Sequence, residues 1–401
     1  MFRRMTQRIL LTTTVKWPSA AYLAGAFASL GCPVEALFPH GHVLAVSRHL
    51  SRSHVYHPLC RAASFAAAIA AAKPDLIIPC DDRAVSVLLS LHAAVPELSA
   101  LLERSLGRSA SYPVMMARSS AIAAARAVGV LAPLTMPAAD ESKLVCALET
   151  VGLPAVLKTD GSWGGGDVVV VRTPGEAVLA FRKLAAPPSR LRSVARAILR
   201  KDAHFLHAAY RPRAAAVHLQ QFIKGRPATS AIACHDGEVL AAIHVDVVAW
   251  QGATGPASLL KRTDCSQMDD AARRIARHFG LNGLHGLDFV RDEEGAPHLI
   301  EINPRATQIC HLALGEGRDL PAALLGLAPR PAVTDKQLIA LFPQEWVRGP
   351  SATPSSAAYH DVPWDDPAVA AAACGRRPPS AAPAEAKPFD AAPPRPQRSE
   401  S

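Results

Sequence analysis

The hydropathy pattern opens with an apolar, β-rich run at residues 8–15 and then takes helical spacing over residues 19–30. A second helical stretch at 64–72 leads into another short apolar run at 76–80. Strand, helix, helix and strand in this order predict a small open α/β unit at the front of the chain. Further on, Leu153-Pro154-Ala155-Val156-Leu157-Lys158 and Val168-Val169-Val170-Val171 read as strands on either side of a glycine-rich stretch. His218-Leu219-Gln220-Gln221-Phe222-Ile223-Lys224-Gly225 reads as a strand running into a turn. Two alternating runs then flank His235-Asp236-Gly237, and two more flank Glu293-Glu294-Gly295, each pair a predicted hairpin.

The last hairpin carries acids where an apolar strand ordinarily has none. Alternation within Leu299-Ile300-Glu301-Ile302-Asn303 predicts that Leu299, Glu301 and Asn303 share one face, with His298, Ile300 and Ile302 on the other. Folding the chain about Glu293-Glu294-Gly295 sets Asp288 opposite Glu301. Facing carboxylates destabilise a sheet unless a cation joins them or a pKa rises, and the side-chain oxygen of Asn303 offers a third hard ligand. A Mg²⁺ site is the natural reading, with two partly exposed carboxylates at the end of an ordinary hairpin as the alternative.

The loop Asp160-Gly161-Ser162-Trp163-Gly164-Gly165-Gly166-Asp167 has the composition to wrap backbone N–H groups around phosphate oxygens, with Lys158 adding a point charge. It lacks the Gly-Lys-Ser/Thr run of a Walker loop, and a strand rather than a helix follows it, which excludes a dinucleotide fingerprint. A plain glycine-rich hairpin remains equally compatible.

The succession of a lysine strand, glycine lid, middle strand with a Gly turn, and Asp/Glu-x-Asn hairpin resembles the ATP-grasp superfamily over residues 9–325, most specifically at 286–305. The resemblance implies an α/β, more fully α+β, ATP-grasp fold: an N-terminal α/β domain at 1–113, then an ATP-grasp domain at 114–330 whose two subdomains clamp ATP, with the lid subdomain at about 150–225. It implies phosphate contacts for Arg118, Lys158, Gly161, Ser162, Gly164, Gly165 and Gly166, and adenine contacts for Gln220, Gln221 and Ile223. Asp288, Glu301 and Asn303 become ligands of Mg²⁺, with Mn²⁺ as a substitute. Arg305 is placed beside the transferred group, and Lys261, or its neighbour Arg262, near the γ-phosphate. The hinge departs from many relatives in having Gln220 where they have Glu, and Arg226-Pro227-Ala228-Thr229 where they have a ribose-binding Glu.

The activity implied is an ATP-dependent ligase that activates a carboxylate as an acylphosphate for an amine or similar nucleophile. Bicarbonate activation and a non-catalytic ATP-binding module are the alternatives. The N-terminal unit would line the acceptor side of the cleft, which makes Asp81 and Asp82 candidate substrate contacts, with a surface turn as their other explanation. No Gly-x-Gly-x-x-Gly follows the first strand, so a nicotinamide dehydrogenase has little support.

Composition changes this picture little. Of 401 residues 49% are hydrophobic, enough for several domains. The net charge of +9 comes without interleaved aromatics, which make up 5% of the chain, so anionic small molecules explain it better than nucleic acid. The basic stretch 187–213 reads as an insertion with a solvated face, docking to an acidic partner or a membrane surface being the alternatives, and the Pro/Ala/Ser-rich residues 349–401 as a disordered tail. Eight scattered cysteines show no zinc spacing, with Cys32, Cys80 and Cys234 expected in the core and Cys310-His311 following the hairpin. No run of twenty apolar residues occurs, so a cytoplasmic protein without a transmembrane segment is expected. The oligomeric state is left open.

Overall fold

A computed structural model describes residues 6–159, 168–186, 216–251, 255–346 and 357–374. The expected lid at 160–167, the basic stretch 187–213 and most of the tail therefore lie outside the described residues.

The chain begins with a parallel sheet of β1 (Ile9–Thr12), β2 (Val34–Pro39), β3 (Arg52–Tyr56) and β4 (Leu76–Pro79) in the order β3-β2-β1-β4. Period-two alternation serves both faces. Leu10 and Ile77 pack with Phe65, Ile69 and Leu88 on one side, whereas Ile9, Leu11 and Ile78 pack with Leu23 and Phe27 on the other. Burial on both faces is why β1 and β4 are short unbroken apolar runs. The winding reverses between β1 and β4, so their carboxyl ends, at Thr12 and Pro79, open a crevice at the reversal.

A second sheet joins β5 (Thr135–Ala138), β6 (Ala155–Thr159), β7 (Val168–Val171) and β8 (Val217–Gln221) in the order β5-β8-β6-β7, all antiparallel. Helices Glu141–Val151 and Pro174–Ala185 cover one face, where Leu144, Leu157, Phe181 and Leu219 form a separate core. The opposite face carries Val156, Lys158 and Gln220, which the register sets side by side.

The third and largest sheet holds β9 (Arg226–His235), β10 (Glu238–Trp250), β11 (Ala257–Arg262), β12 (Gly283–Arg291), β13 (Pro297–Asn303), β14 (Leu338–Leu341) and β15 (Ala358–Asp361), ordered β13-β12-β9-β10-β11-β14-β15. Helix Ser266–Phe279 packs Met268, Ala272, Ile275 and Phe279 into the core shared with β9 and β12. Arg305 and Ala306, just after β13, join this sheet to the first: Ala306 N–H donates to the Pro79 carbonyl at 2.9 Å.

Two expectations need correction here. The sheet continues past residue 330, and part of the supposed disordered tail is ordered: β15 pairs in parallel with β14, and helix Pro367–Cys374 buries Val369 and Ala370. Asp361 meets His311 at 2.9 Å and Asp366 accepts from Ser47 at 2.8 Å, so specific polar contacts hold a segment whose average composition reads as structureless.

Candidate active site

The hairpin of β12 and β13 forms with the expected register, Asp288 opposite Glu301. Gly295 takes a positive φ of 87° at its turn, and Asp292 closes the turn by accepting from Ala296 N–H at 2.7 Å. The alternation, however, is broken. The ladder slips between Asp288 and Phe289, so Leu299 pairs with Phe289 and Ile300 is the extra residue of a β-bulge. Leu299 is consequently buried in the core while Glu301, two residues on, faces a cleft together with Ile300. Leu299 does not share a face with Glu301 as simple alternation predicts.

That cleft, about 370 Å³, lies between the open face of the second sheet and the β12–β13 hairpin. Its charged and polar lining is Arg118, Lys158, Gln220, Gln221, Asp288 and Glu301, residues up to 183 positions apart in the chain. Its apolar walls include Val156, Val170, Ile223 and Val290. Two residues beyond Ile223, backbone packs on backbone at Gly225, where a Cβ would overlap the Arg291 carbonyl oxygen.

Within it, Arg118 opens helix Arg118–Ala127 and spans the gap, donating to the Thr159 carbonyl at 2.7 Å and pairing with Glu301. Lys158 is buried and its Nζ reaches the Ile300 carbonyl at 3.1 Å, a bond made available by the bulge. Burial raises the Glu301 carboxyl above its ordinary range; Arg118 opposes the shift, Asp288 adds to it and Lys158 opposes it.

A chain of hydrogen bonds runs from this cleft to the first sheet. Thr229 Oγ1 donates to Asp288 at 2.8 Å, and Asn303 Nδ2 donates to the other Asp288 oxygen at 2.9 Å. Arg305 donates to Asn303 Oδ1 at 3.1 Å and to Asp82 at 2.9 Å. The Asn303 oxygen expected to face a cation thus accepts from Arg305, keeping a second lone pair. Asp82, which opens helix Asp82–Ala94, holds Arg305 at the reversal point of the first sheet.

Asp81 does something different. It is buried and accepts from Thr14 N–H at 2.6 Å, Thr14 Oγ1 at 2.8 Å, Thr13 Oγ1 at 3.0 Å and Ala84 N–H at 2.9 Å. It caps a helix and ties it to the loop after β1, which accounts for its oxygens without a substrate.

Gln220 and Gln221 occupy adjacent positions with different fates. Gln221 is exposed and accepts from Leu134 N–H at 3.4 Å, while Gln220 is buried and donates through Nε2 to Thr135 Oγ1 at 2.8 Å. Lys261 is not drawn in. It sits on β11, exposed, and pairs with Asp246, which pairs with Ala228 and then Phe289, the row facing away from Asp288. Arg262 shares the row of Asp288 but lies three strands away and reaches the Thr334 carbonyl at 3.5 Å. Gly161, Ser162, Gly164, Gly165 and Gly166 fall outside the described residues. Cys310 follows the hairpin but is buried, its sulfur accepting from Thr307 N–H at 3.1 Å.

Thr135 had no part in the sequence expectations, and Thr229 entered them only within the stretch that stands in place of a ribose-binding Glu. Thr135 lies on a four-residue edge strand that contains Pro137, a segment too short and too proline-broken to read as a strand. The signal for Thr229 was its register: β9 sets it beside Asp288.

Residues 200–308 match the family model of the ATP-grasp domain. The chain carries an ATP-grasp fold. The chain superposes on the biotin carboxylase domain of 2-oxoglutarate carboxylase from Hydrogenobacter thermophilus, solved with MgADP and bicarbonate, with a TM-score of 0.57 at 13% identity, covering 82% of this chain and 72% of that one. N5-carboxyaminoimidazole synthetase from Staphylococcus aureus gives 0.57 at 11% identity over 82% and 81% of the two chains. L-Amino acid ligase from Bacillus licheniformis gives 0.54 at 12% identity over 81% and 75%. No curated protein matches the chain by sequence. No helix among the described residues is long and apolar enough to cross a membrane.

Proposed function

We propose that this chain is an ATP-dependent ligase that activates a carboxylate as an acylphosphate and passes the acyl group to an amine or similar nucleophile. The observation that carries this reading is the convergence of Arg118, Lys158, Gln220, Asp288 and Glu301 on one cleft of about 370 Å³ in an ATP-grasp fold. Two cations and two carboxylates facing each other have no structural need to be there, since a core this large folds without buried charge. They suit a ligand that is itself anionic and metal-bound.

Asp288 and Glu301 present hard carboxylate oxygens on one face, and Asn303 adds an amide, a small oxygen set of the kind Mg²⁺ uses when phosphates and waters complete its octahedron. Mg²⁺ would be held there and would neutralise phosphate charge; Mn²⁺ is its natural substitute. Lys158 and Arg118 would bind the phosphates, the segment at Gln220 and Ile223 the adenine, and Arg305 the reacting groups at the crevice between β1 and β4. A carboxylate oxygen of the substrate bonds to the γ-phosphorus as the bond to the β-phosphate oxygen breaks, releasing ADP. The amine then bonds to the acyl carbon, phosphate leaves and the amine gives up a proton. Alignment and charge neutralisation do the catalytic work, in keeping with a lining that, among the described residues, holds no Ser, Thr, Cys or His to act as a covalent nucleophile.

The division into an N-terminal unit at 1–113 and an ATP-grasp unit from 114 is part of the same proposal, supported by the separation of the first sheet from the other two. All eight cysteines are free thiols, which fits a reducing cytoplasm. The test is a mass-spectrometric product screen with Mg-ATP, pooled carboxylates and amines, and a parallel arm with bicarbonate. A new condensation product with stoichiometric ADP supports the ligase. ADP formed with bicarbonate alone moves the reading to a carboxylase, and nucleotide binding without ADP formation in any arm overturns turnover.

A further inference from the structure

We propose that Thr135 is a specificity-determining positioning residue: by fixing which end of the Gln220 amide faces the cleft, it makes the site select a purine bearing an exocyclic amine at C6 over one bearing an oxo group. The inference rests on the reading of this cleft as a nucleotide site. An amide side chain is symmetric in shape, and Gln220 could offer either its carbonyl oxygen or its NH₂ to a base. Which end it offers is decided by its neighbour. Thr135 stands directly opposite Gln220 in the β5–β8 ladder. A hydroxyl has one proton, and that of Thr135 is donated to the Pro133 carbonyl at 3.2 Å. Thr135 Oγ1 therefore has only lone pairs to present, and it accepts from Gln220 Nε2 at 2.8 Å.

The consequence passes along the side chain. With NH₂ held against Thr135, the carbonyl oxygen is the end of Gln220 left to face a ligand, and Gln220 lines the cleft on the same face as Val156 and Lys158. A carbonyl oxygen accepts from the amine at C6 of adenine and repels the oxygen at C6 of hypoxanthine or guanine. Gln220 is 3% exposed, so a wrongly turned amide would leave a polar group buried opposite its like, and the discrimination is correspondingly sharp. A Glu in this place would have two acceptor oxygens and no need of a neighbour to orient it. A Gln needs one, and Thr135 backed by Pro133 is that neighbour.

The experiment compares binding of ATP and ITP, by calorimetry on the full chain, for wild type, Thr135→Val, Thr135→Ser, Gln220→Glu and the double variant Thr135→Val/Gln220→Glu. Thr135→Val is expected to lower the ATP:ITP preference about tenfold, the scale of one misdirected hydrogen bond, and Thr135→Ser to restore it. In the Gln220→Glu background Thr135→Val should leave the preference unchanged, because a carboxylate presents an acceptor whichever way it turns. An equal preference in wild type and Thr135→Val, with both folded by circular dichroism, overturns the inference while leaving the nucleotide site intact. A wild-type chain that binds neither nucleotide overturns the site reading itself.

Discussion

Arg118 and Glu301 pair across the cleft, joining the first turn of a helix to the strand that carries one of the two facing carboxylates. The pair solves the problem that Asp288 and Glu301 create: without a metal, a guanidinium supplies the counter-charge, and it does so from the position where a phosphate-binding cation is needed when nucleotide is present. The same side chain cannot hold Glu301 and grip a phosphate equally well. Metal and nucleotide should therefore enter together, with Arg118 released from Glu301 as Mg²⁺ takes the carboxylate.

Arg118→Gln separates these roles. Mn²⁺ added alone should bind about tenfold more tightly to the variant than to wild type, since a charge-assisted contact of about 1.5–3 kcal/mol no longer competes for Glu301. Mg-ATP should bind more weakly, because a phosphate contact is lost. Free Mn²⁺ followed by electron paramagnetic resonance gives the first number and calorimetry the second. Unchanged affinity for Mn²⁺ alone would show that Arg118 does not guard the carboxylates.

Lys158→Ala should weaken ATP by about 1.5–3 kcal/mol and adenosine hardly at all, since its Nζ, within reach of the Ile300 carbonyl, is a point charge suited to phosphates rather than to a neutral nucleoside. Parallel titrations with the two ligands decide it. Equal losses would make Lys158 a structural residue that ties β6 to β13.

The hairpin at Asp288 and Glu301 was legible because a glycine turn between two alternating runs fixes register, and register alone brings the two acids together. The bulge at Ile300 was not, since one extra residue on a strand leaves no mark in composition, yet it sends Leu299 to the core and gives Lys158 a carbonyl to bind. Lys261 illustrates the converse. Its sequence neighbourhood fitted a phosphate cation, but strand order and face, set by pairings far along the chain, carry it away from the cleft. Ala358–Asp361 was hidden by its surroundings: four residues of strand within a proline- and alanine-rich stretch become visible only through the parallel partner they find in β14.

Asp81 and Asp82, adjacent in sequence, should separate cleanly on mutation. Asp81→Ala strips the acceptor from Thr13, Thr14 and Ala84 and should cost about 2–4 kcal/mol, lowering the midpoint of urea unfolding. Asp82→Asn removes only a partly exposed partner of Arg305 and should change stability by about 1 kcal/mol or less while depressing turnover through a misplaced guanidinium. Matched unfolding curves and steady-state kinetics on both variants provide the check. If Asp81→Ala keeps full stability and loses activity, the capping role assigned to it is wrong.

Acid sensitivity should come in part from two buried histidines. Burial pushes His285 from its ordinary 6.5 down to about 4, only partly countered by its hydrogen bond to the Asn282 carbonyl, and burial does the same to His42, with a backbone contact opposing and Lys16 adding. A histidine depressed in the fold stays neutral there while the unfolded chain begins to take up a proton below pH about 6.5. Its contribution to stability is therefore complete above that pH, declines as pH falls toward 4, and is lost below it, by on the order of 3 kcal/mol for each ring. Carboxylates titrate in the same window, so the informative quantity is a difference between proteins. His285→Gln can still donate to the Asn282 carbonyl but cannot titrate, and its unfolding free energy should fall less steeply than that of wild type between pH 6.5 and about 4. Measured as urea midpoints at half-unit steps, the two curves should converge as the pH is lowered; parallel curves would mean that His285 accepts its proton in the folded chain as readily as in the unfolded one.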